Sequence, residues 1–253
     1  MRLTLFLLSL ACLASGQVRV AAIAHRGEHL HHPENTLSAY QAAIDAGADF
    51  IEVDVRTTSD GKLVMMHDAT VDSMTNGKGA VKDLTLAQVR ALDVLGDHVR
   101  GQVPTFDEVL ALARGKIGIY VDSKQVSAAD MIAAVEKYAM QDKIVVYGGY
   151  QYLKDVAALR PKIKVMPESV SVAACKKLVD EFHPRVIAFN ARDFTNDIIA
   201  VAKDAKADIY VDRFGDADTQ AGWQDAIDRG ATGIQTNKPA ELVEYLRSRH
   251  HHN

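Results

Sequence analysis

Histidine, arginine and carboxylates recur between Ala24 and Asp68 at points where strands should end: His25, Arg26, Glu52, Asp54 and His67. Asp122 and Lys124 repeat the pattern further along. Grouped carboxylate oxygens suit a hard divalent cation, Mg²⁺ or Ca²⁺, completed by water and a substrate phosphate. Arg26 and Lys124 can carry the remaining phosphate charge, Arg26 in a bidentate manner. Two histidines with an ordinary pKa of about 6.5 can exchange protons near neutrality as general acid and base. These residue types together specify metal-assisted cleavage of a phosphate ester.

Such residues need a scaffold that holds strand ends together. Short runs rich in Val, Ile and Ala, namely Val20–Ala24, Phe50–Thr57, Ile117–Asp122, Ile144–Tyr147, Ile163–Pro167, Val186–Asn190, Ile209–Asp212 and Gly233–Thr236, alternate with helical patterns. Thr85 with Gln88 and Thr105 with Glu108 have the spacing of capping boxes, and Gly47 closes the helix opened at Asn35-Thr36. Eight strands alternating with helices in 253 residues predict an α/β fold, a (β/α)8 TIM-like barrel. An open doubly wound sheet is the alternative, and the chain has no Gly-rich phosphate loop to favour it.

In a barrel the chemistry sits at the C-terminal ends of the strands. His25-Arg26, Glu52, Asp54, Asp122, Lys124 and Asn190 all fall there. Side-chain alternation sends Ile51, Val53 and Val55 toward the helices and Glu52 and Asp54 into the barrel mouth. The second strand then meets an Asp60-Gly61 turn, so Leu63–Asp68 should return antiparallel. A two-residue loop would pair positions summing to 121 and set His67 opposite Asp54. The segment of about residues 57–104 becomes an insertion over the mouth.

Composition excludes other classes. With 48% hydrophobic and 25% charged residues the chain is ordinary globular material for one large domain, residues 17–253. A net charge of −4 without a basic run gives no support for nucleic-acid binding. Met1-Arg2, the apolar run to Leu13 and Ala14-Ser15-Gly16 have the layout of a secretory signal cut near Gly16, too short for a permanent membrane span, and predict a secreted or periplasmic protein. Cys175 is then the only cysteine, so no intramolecular disulfide forms. His29, His31 and His32 read as a solvated loop and His250–His252 as a disordered tail.

With these residues in view, the chain resembles the glycerophosphodiester phosphodiesterases. The matching pieces are His25-Arg26-Gly27, Pro33-Glu34-Asn35-Thr36, Glu52-Val53-Asp54-Val55, Asp60-Gly61, His67-Asp68, Thr75-Asn76-Gly77, Val103-Pro104-Thr105 and Gly233-Ile234-Gln235-Thr236-Asn237-Lys238-Pro239. The resemblance implies release of glycerol 3-phosphate and an alcohol, His25 and His67 as acid and base, Glu34, Glu52 and Asp54 at a metal, Arg26 at the phosphate, and a neighbouring substrate hydroxyl as first nucleophile. Glu34 serves equally well as a helix-start anion. Three departures stand out: Asp122 where the family has glutamate, Ile209–Arg213 where it places Trp-Thr, and Asn237 where it closes with aspartate. Tyr210 reads either as core or as a substrate wall, the latter together with Asn190. A lysophospholipid or another headgroup as substrate, or a non-catalytic phosphate-binding barrel, are the alternatives these departures raise.

Overall fold

The computed structural model describes residues 18–96 and 101–253. The proposed leader lies outside the described residues. In chain order the elements are β1 (Ala21–Ala24), α1 (Leu37–Ala46), β2 (Phe50–Thr57), β3 (Leu63–Met65), α2 (Leu86–Arg90), α3 (Phe106–Ala113), β4 (Gly118–Gln125), α4 (Ala128–Lys137), β5 (Ile144–Tyr147), α5 (Tyr150–Leu159), β6 (Lys164–Val165), α6 (Val172–Phe182), β7 (Val186–Phe189), α7 (Asn196–Asp204), β8 (Asp208–Arg213), α8 (Gln220–Arg229), β9 (Gly233–Thr236) and α9 (Pro239–Ser248).

The eight parallel strands run β6-β5-β4-β2-β1-β9-β8-β7. A parallel bridge from Glu168 to Ala188 joins the two ends of this order, so a (β/α)8 barrel is closed to all but a weak seam. All eight predicted strands are present. Outward residues such as Ile51, Val53 and Val55 pack with Phe106, Leu110, Met131 and Ile132 of the surrounding helices. A second outer cluster around Trp223, Ile187, Ile209 and Leu246 covers the opposite half. Inside the barrel Ile23, Tyr120, Val145, Met166, Val186, Ala188 and Tyr210 form the plug on which the site rests.

The hairpin register differs from the predicted one. β3 pairs with β2 through Val55 and Met65, Arg56 and Val64, Thr57 and Leu63, so paired positions sum to 120 and Asp54 faces Met66. The loop holds three residues rather than two: Thr58 pairs with Lys62, and Gly61 stands at φ 73°. A turn followed by a left-handed glycine is the three-residue hairpin solution, and the glycine makes it possible. Thr58 Oγ1 donates to Asp60 and accepts from Lys62 N, locking the longer loop.

Beyond β3 the insertion has its own apolar cluster, with Val64, Met66, Val71, Met74, Val81, Val89, Val94 and Val103 buried together. The free edge of β3 is covered by Pro104 and Thr105. The C-terminal tail is also tied down, contrary to expectation. Val20 N donates to the carbonyl of His251, and His252 Nε2 meets Asp49 Oδ2 at 2.9 Å. These contacts give the tail backbone and side-chain partners that sequence separation conceals.

Candidate active site

Three carboxylates meet where β2 and β4 lie side by side. The register pairs Asp54 with Asp122, and oxygens of Glu52, Asp54 and Asp122 all lie within 4.8 Å of one another. Glu52 and Asp54 are 2% and 1% exposed. Burial, then the charges of Asp54 and Asp122, push Glu52 well above the usual carboxylate range. Asp122 is also raised by burial, opposed by Lys124. Carboxylates gathered so closely repel one another unless a cation is shared among them, so the donor set fits a divalent metal.

Two side-chain cations flank the cluster. Lys124 Nζ donates to Asp122 at 2.7 Å and approaches Asp54 at 3.4 Å. It reaches both because the β2–β4 register shifts just past Val55, a bulge at Lys124 that re-aims the chain toward the mouth. Arg26 donates its backbone N–H to Glu52 at 2.8 Å, holds Glu34 through Nη1, and places Nε 3.4 Å from Asp54. Its Nε is buried with no hydrogen-bond partner among the described residues. A donor so placed beside a metal-type cluster is suited to a phosphate oxygen. Glu34 thus stands against Arg26, outside the group of three carboxylates.

The turn that aims Arg26 is itself strained. Arg26 has φ 53° and Gly27 φ 84°, and a Cβ on Gly27 would come 2.7 Å from the backbone of Ala39. Only glycine lets α1 approach β1 this closely. Asn35, also left-handed at φ 55°, is fully buried beneath Asp54. Its Nδ2 donates to Asp54 Oδ2 at 2.7 Å, while its Oδ1 accepts from Tyr40 Oη and from Asp54 N. The sequence marks Asn35 as the start of a helix and as part of the family resemblance, with no pointer to a place beneath Asp54. Its separation of 19 residues from Asp54 offered no local signal.

The two histidines face the cluster from different supports. His25 follows β1; its Nδ1 donates to Asn237 Oδ1 at 2.7 Å and its ring lies 4.5 Å from that of Phe214. Burial, aided by neighbouring Arg26, lowers its pKa to about 4 although the Asn237 bond opposes this. Asn237 is in turn placed by Asp218, 2% exposed, which accepts from Asn237 N, Thr236 Oγ1 and Trp223 Nε1. His67 leaves the hairpin after β3. Its Nδ1 donates to Asp68 Oδ1 at 2.8 Å, Ser73 donates to the other oxygen of Asp68, and Arg56 clamps the His67 carbonyl. The hydrogen bonds from Ser73 and His67 hold Asp68 below the ordinary carboxylate range. Asp218, Asp68 and Arg56 were not singled out from sequence as supports for the histidines; only the His67-Asp68 adjacency carried a signal.

Other expected residues are placed differently. His29 Nδ1 donates to the His25 carbonyl and His31 to Glu28, so they brace the loop and do not join the carboxylates. Asn190 lines a cavity across the mouth and donates to Glu168 and Asp193. Tyr210 belongs to the inner plug, packing against Phe50 at 6.1 Å; its ring floors that same cavity, while the nearest charges to its hydroxyl, Asp208 and Asp49, lie at the opposite end of the barrel.

A (β/α)8 barrel with a carboxylate cluster, two side-chain cations and two supported histidines at its mouth has the layout of a phosphoester hydrolase. The glycerophosphoryl diester phosphodiesterase family model matches residues 25–241, and the chain belongs to that family. It is 32% identical over 245 residues to a glycerophosphodiester phosphodiesterase of Caldanaerobacter subterraneus subsp. tengcongensis, covering 91% of this chain and 99% of the relative. A glycerophosphodiester phosphodiesterase structure from Agrobacterium tumefaciens superposes with a TM-score of 0.80 at 26% identity, over 87% of this chain and 97% of the other. The fold is also that of an Oleispira antarctica phosphodiesterase solved with sn-glycerol-3-phosphate, with a TM-score of 0.80 at 20% identity, over 90% of this chain and 96% of that one.

Proposed function

We propose that this protein hydrolyses glycerophosphodiesters to glycerol 3-phosphate and an alcohol, with Glu52, Asp54 and Asp122 holding one Mg²⁺ or Ca²⁺ and His25 and His67 moving the protons. The observation that carries this is the convergence of three carboxylates from adjacent strands with the Nε of half-buried Arg26 beside them, free of a hydrogen bond among the described residues. A bound divalent cation would supply charge stabilisation at the phosphate. Arg26 and Lys124 hold and orient the remaining phosphate oxygens.

The two histidines divide the proton work by their surroundings. Buried His25, with its proton on Nδ1 directed at a neutral amide, is unprotonated at neutral pH and offers Nε2 as a base. It takes the proton of the attacking water or of a substrate hydroxyl next to the phosphate; in the second case the alcohol leaves a cyclic phosphate, which water then opens to glycerol 3-phosphate. His67 donates Nδ1–H to the carboxylate of Asp68, which fixes the orientation of the ring, and its Nε2 is the atom that hands a proton to the departing alkoxide. His25 comes to the site from the end of β1 and His67 from the segment after β3, held by the Arg56 clamp on its carbonyl, so the two rings have independent supports.

Purified protein supplied with Mg²⁺ or Ca²⁺ should release glycerol 3-phosphate from a glycerophosphodiester, and chelation should stop it. Turnover that survives both His25→Ala and His67→Ala would overturn the proton assignments. A long-chain lysophospholipid preferred over every water-soluble diester would overturn the substrate class.

A further inference from the structure

Across the barrel mouth from the carboxylate cluster the chain builds a second polar enclosure, of about 60 Å³, lined by Tyr120, Tyr147, Glu168, Asn190, Asp212 and Gln235. A groove of about 360 Å³ shares Tyr147 and Glu168 with it and runs to Asp122 and Lys124. The two cavities therefore adjoin at Tyr147 and Glu168. Strand register supports this, since Tyr147 of β5 is paired with Asp122 of β4 and Tyr120 of β4 with Glu52 of β2.

The enclosure is charged and incompletely satisfied. Glu168 accepts from Tyr147 Oη at 2.5 Å and from Asn190 Nδ2 at 3.1 Å. Asp212 accepts from the Ala191 N–H at 2.6 Å. Among the described residues neither carboxylate has a lysine, arginine or histidine side chain within ion-pair distance, in contrast to Asp54 and Asp122. Independently, Tyr120 is only 6% exposed and its hydroxyl makes no hydrogen bond to any described residue. Tyr120 is paired with Glu52, stands two residues before Asp122 on β4, and lines the enclosure together with Glu168, so it joins the carboxylate cluster to the acidic wall. Two half-buried anions without a cation are costly.

We propose that this enclosure is the alcohol subsite and selects an alcohol bearing a primary ammonium, as in an ethanolamine ester; the proposal rests on the phosphodiesterase reading above. A primary ammonium supplies N–H donors to Glu168 and Asp212, and the Tyr120 and Tyr147 rings offer it aromatic faces. The phosphate then stays at Arg26 and Lys124 while the two-carbon arm crosses past Tyr120. A quaternary ammonium has no N–H to give and demands more room. A neutral polyol leaves both carboxylates uncompensated.

Calorimetric titration of the Mg²⁺-loaded protein with O-phosphoethanolamine and with ethyl phosphate tests the subsite without requiring turnover. The ammonium compound should bind at least about tenfold more tightly, and Asp212→Asn or Glu168→Gln should each remove about tenfold of that preference. Equal affinity for the two compounds in the unaltered protein overturns the proposal, even if a carboxamide variant fails to fold. In kinetics, the ratio of kcat/KM on glycerophosphoethanolamine to that on glycerophosphoglycerol should fall about tenfold in each variant. A ratio unmoved by both variants also overturns the subsite. Preferred binding with no hydrolysis of either diester would instead leave the subsite standing and sink the phosphodiesterase reading.

Discussion

The two walls of the barrel mouth solve the burial of charge in opposite ways. On the wall built by β1, β2 and β4, every carboxylate of the cluster meets a backbone or side-chain donor, and Arg26 and Lys124 stand beside Asp54. On the wall built by β5 to β9, Glu168 and Asp212 receive only neutral donors among the described residues. On the proposed function the first wall holds a phosphate and a metal in one geometry. The second leaves charge for something that arrives. Chemistry common to a family can be kept on one wall while the other varies with the substrate, which is the flexibility that loops at barrel strand ends allow.

The sharpest way to break this comparison is to remove the proton carriers of the first wall. His25→Ala and His67→Ala should each lower kcat for glycerol 3-phosphate release by roughly 10²–10⁴-fold. A loss below tenfold in either would show that the ring in question is only structural.

Metal should act on stability as well as on rate. Mg²⁺ or Ca²⁺ at about 100 times its Kd should stabilise the fold by about 2.7 kcal/mol, read as a rise in Tm that chelation reverses. The same titration of Asp54→Asn should show a much smaller rise, because one of the three clustered oxygen donors is lost.

Asn35→Ala tests whether the first wall depends on its hidden support. It strips Asp54 and Tyr40 of their shared partner, so metal affinity should fall about 10–100-fold and the fold lose about 1–3 kcal/mol. Calorimetric metal titration and denaturant unfolding measure the two effects separately.

The smallest expected effect concerns pH. His25 has a folded pKa of about 4, below the ordinary 6.5, so it remains a neutral base until the pH falls toward 4. By the same sign, the unfolded chain binds the extra proton between these values, and this site's contribution to stability declines as pH drops from 6.5 toward 4. Asn237→Asp puts a carboxylate on Nδ1, favours the imidazolium, and should move the acid limb of kcat/KM upward by about one pH unit or more. An unmoved limb would show that His25 does not set it.

Much of the first wall was legible in the sequence because its spacing is local. Glu52 and Asp54 are two apart on one strand, so alternation alone sends both inward, and His25-Arg26 sits at the end of a strand whose apolar run is unmistakable. The hairpin shows where such reading stops. Asp60-Gly61 signals a turn but does not count its loop residues, and the left-handed Gly61 allows three rather than two, shifting His67 by one place. The supports of the two histidines divide in the same way. Asp68 follows His67 directly, whereas Asn237 lies 212 residues from His25.

The sequence by itself determined the barrel, its eight strands, and the residue types at one half of the mouth, because period-2 alternation and helix capping are properties of neighbours along the chain. Only the tertiary structure decided that Asn35 lies under Asp54, that Asp218 sets Asn237 against His25, and that Glu168 and Asp212 line one cavity with Tyr120. These meetings depend on barrel closure and on the bulge and turn that aim each side chain. Residues brought together by closure share no period in the sequence, so the acidic wall, unlike the metal-side wall, became visible only once the barrel was closed.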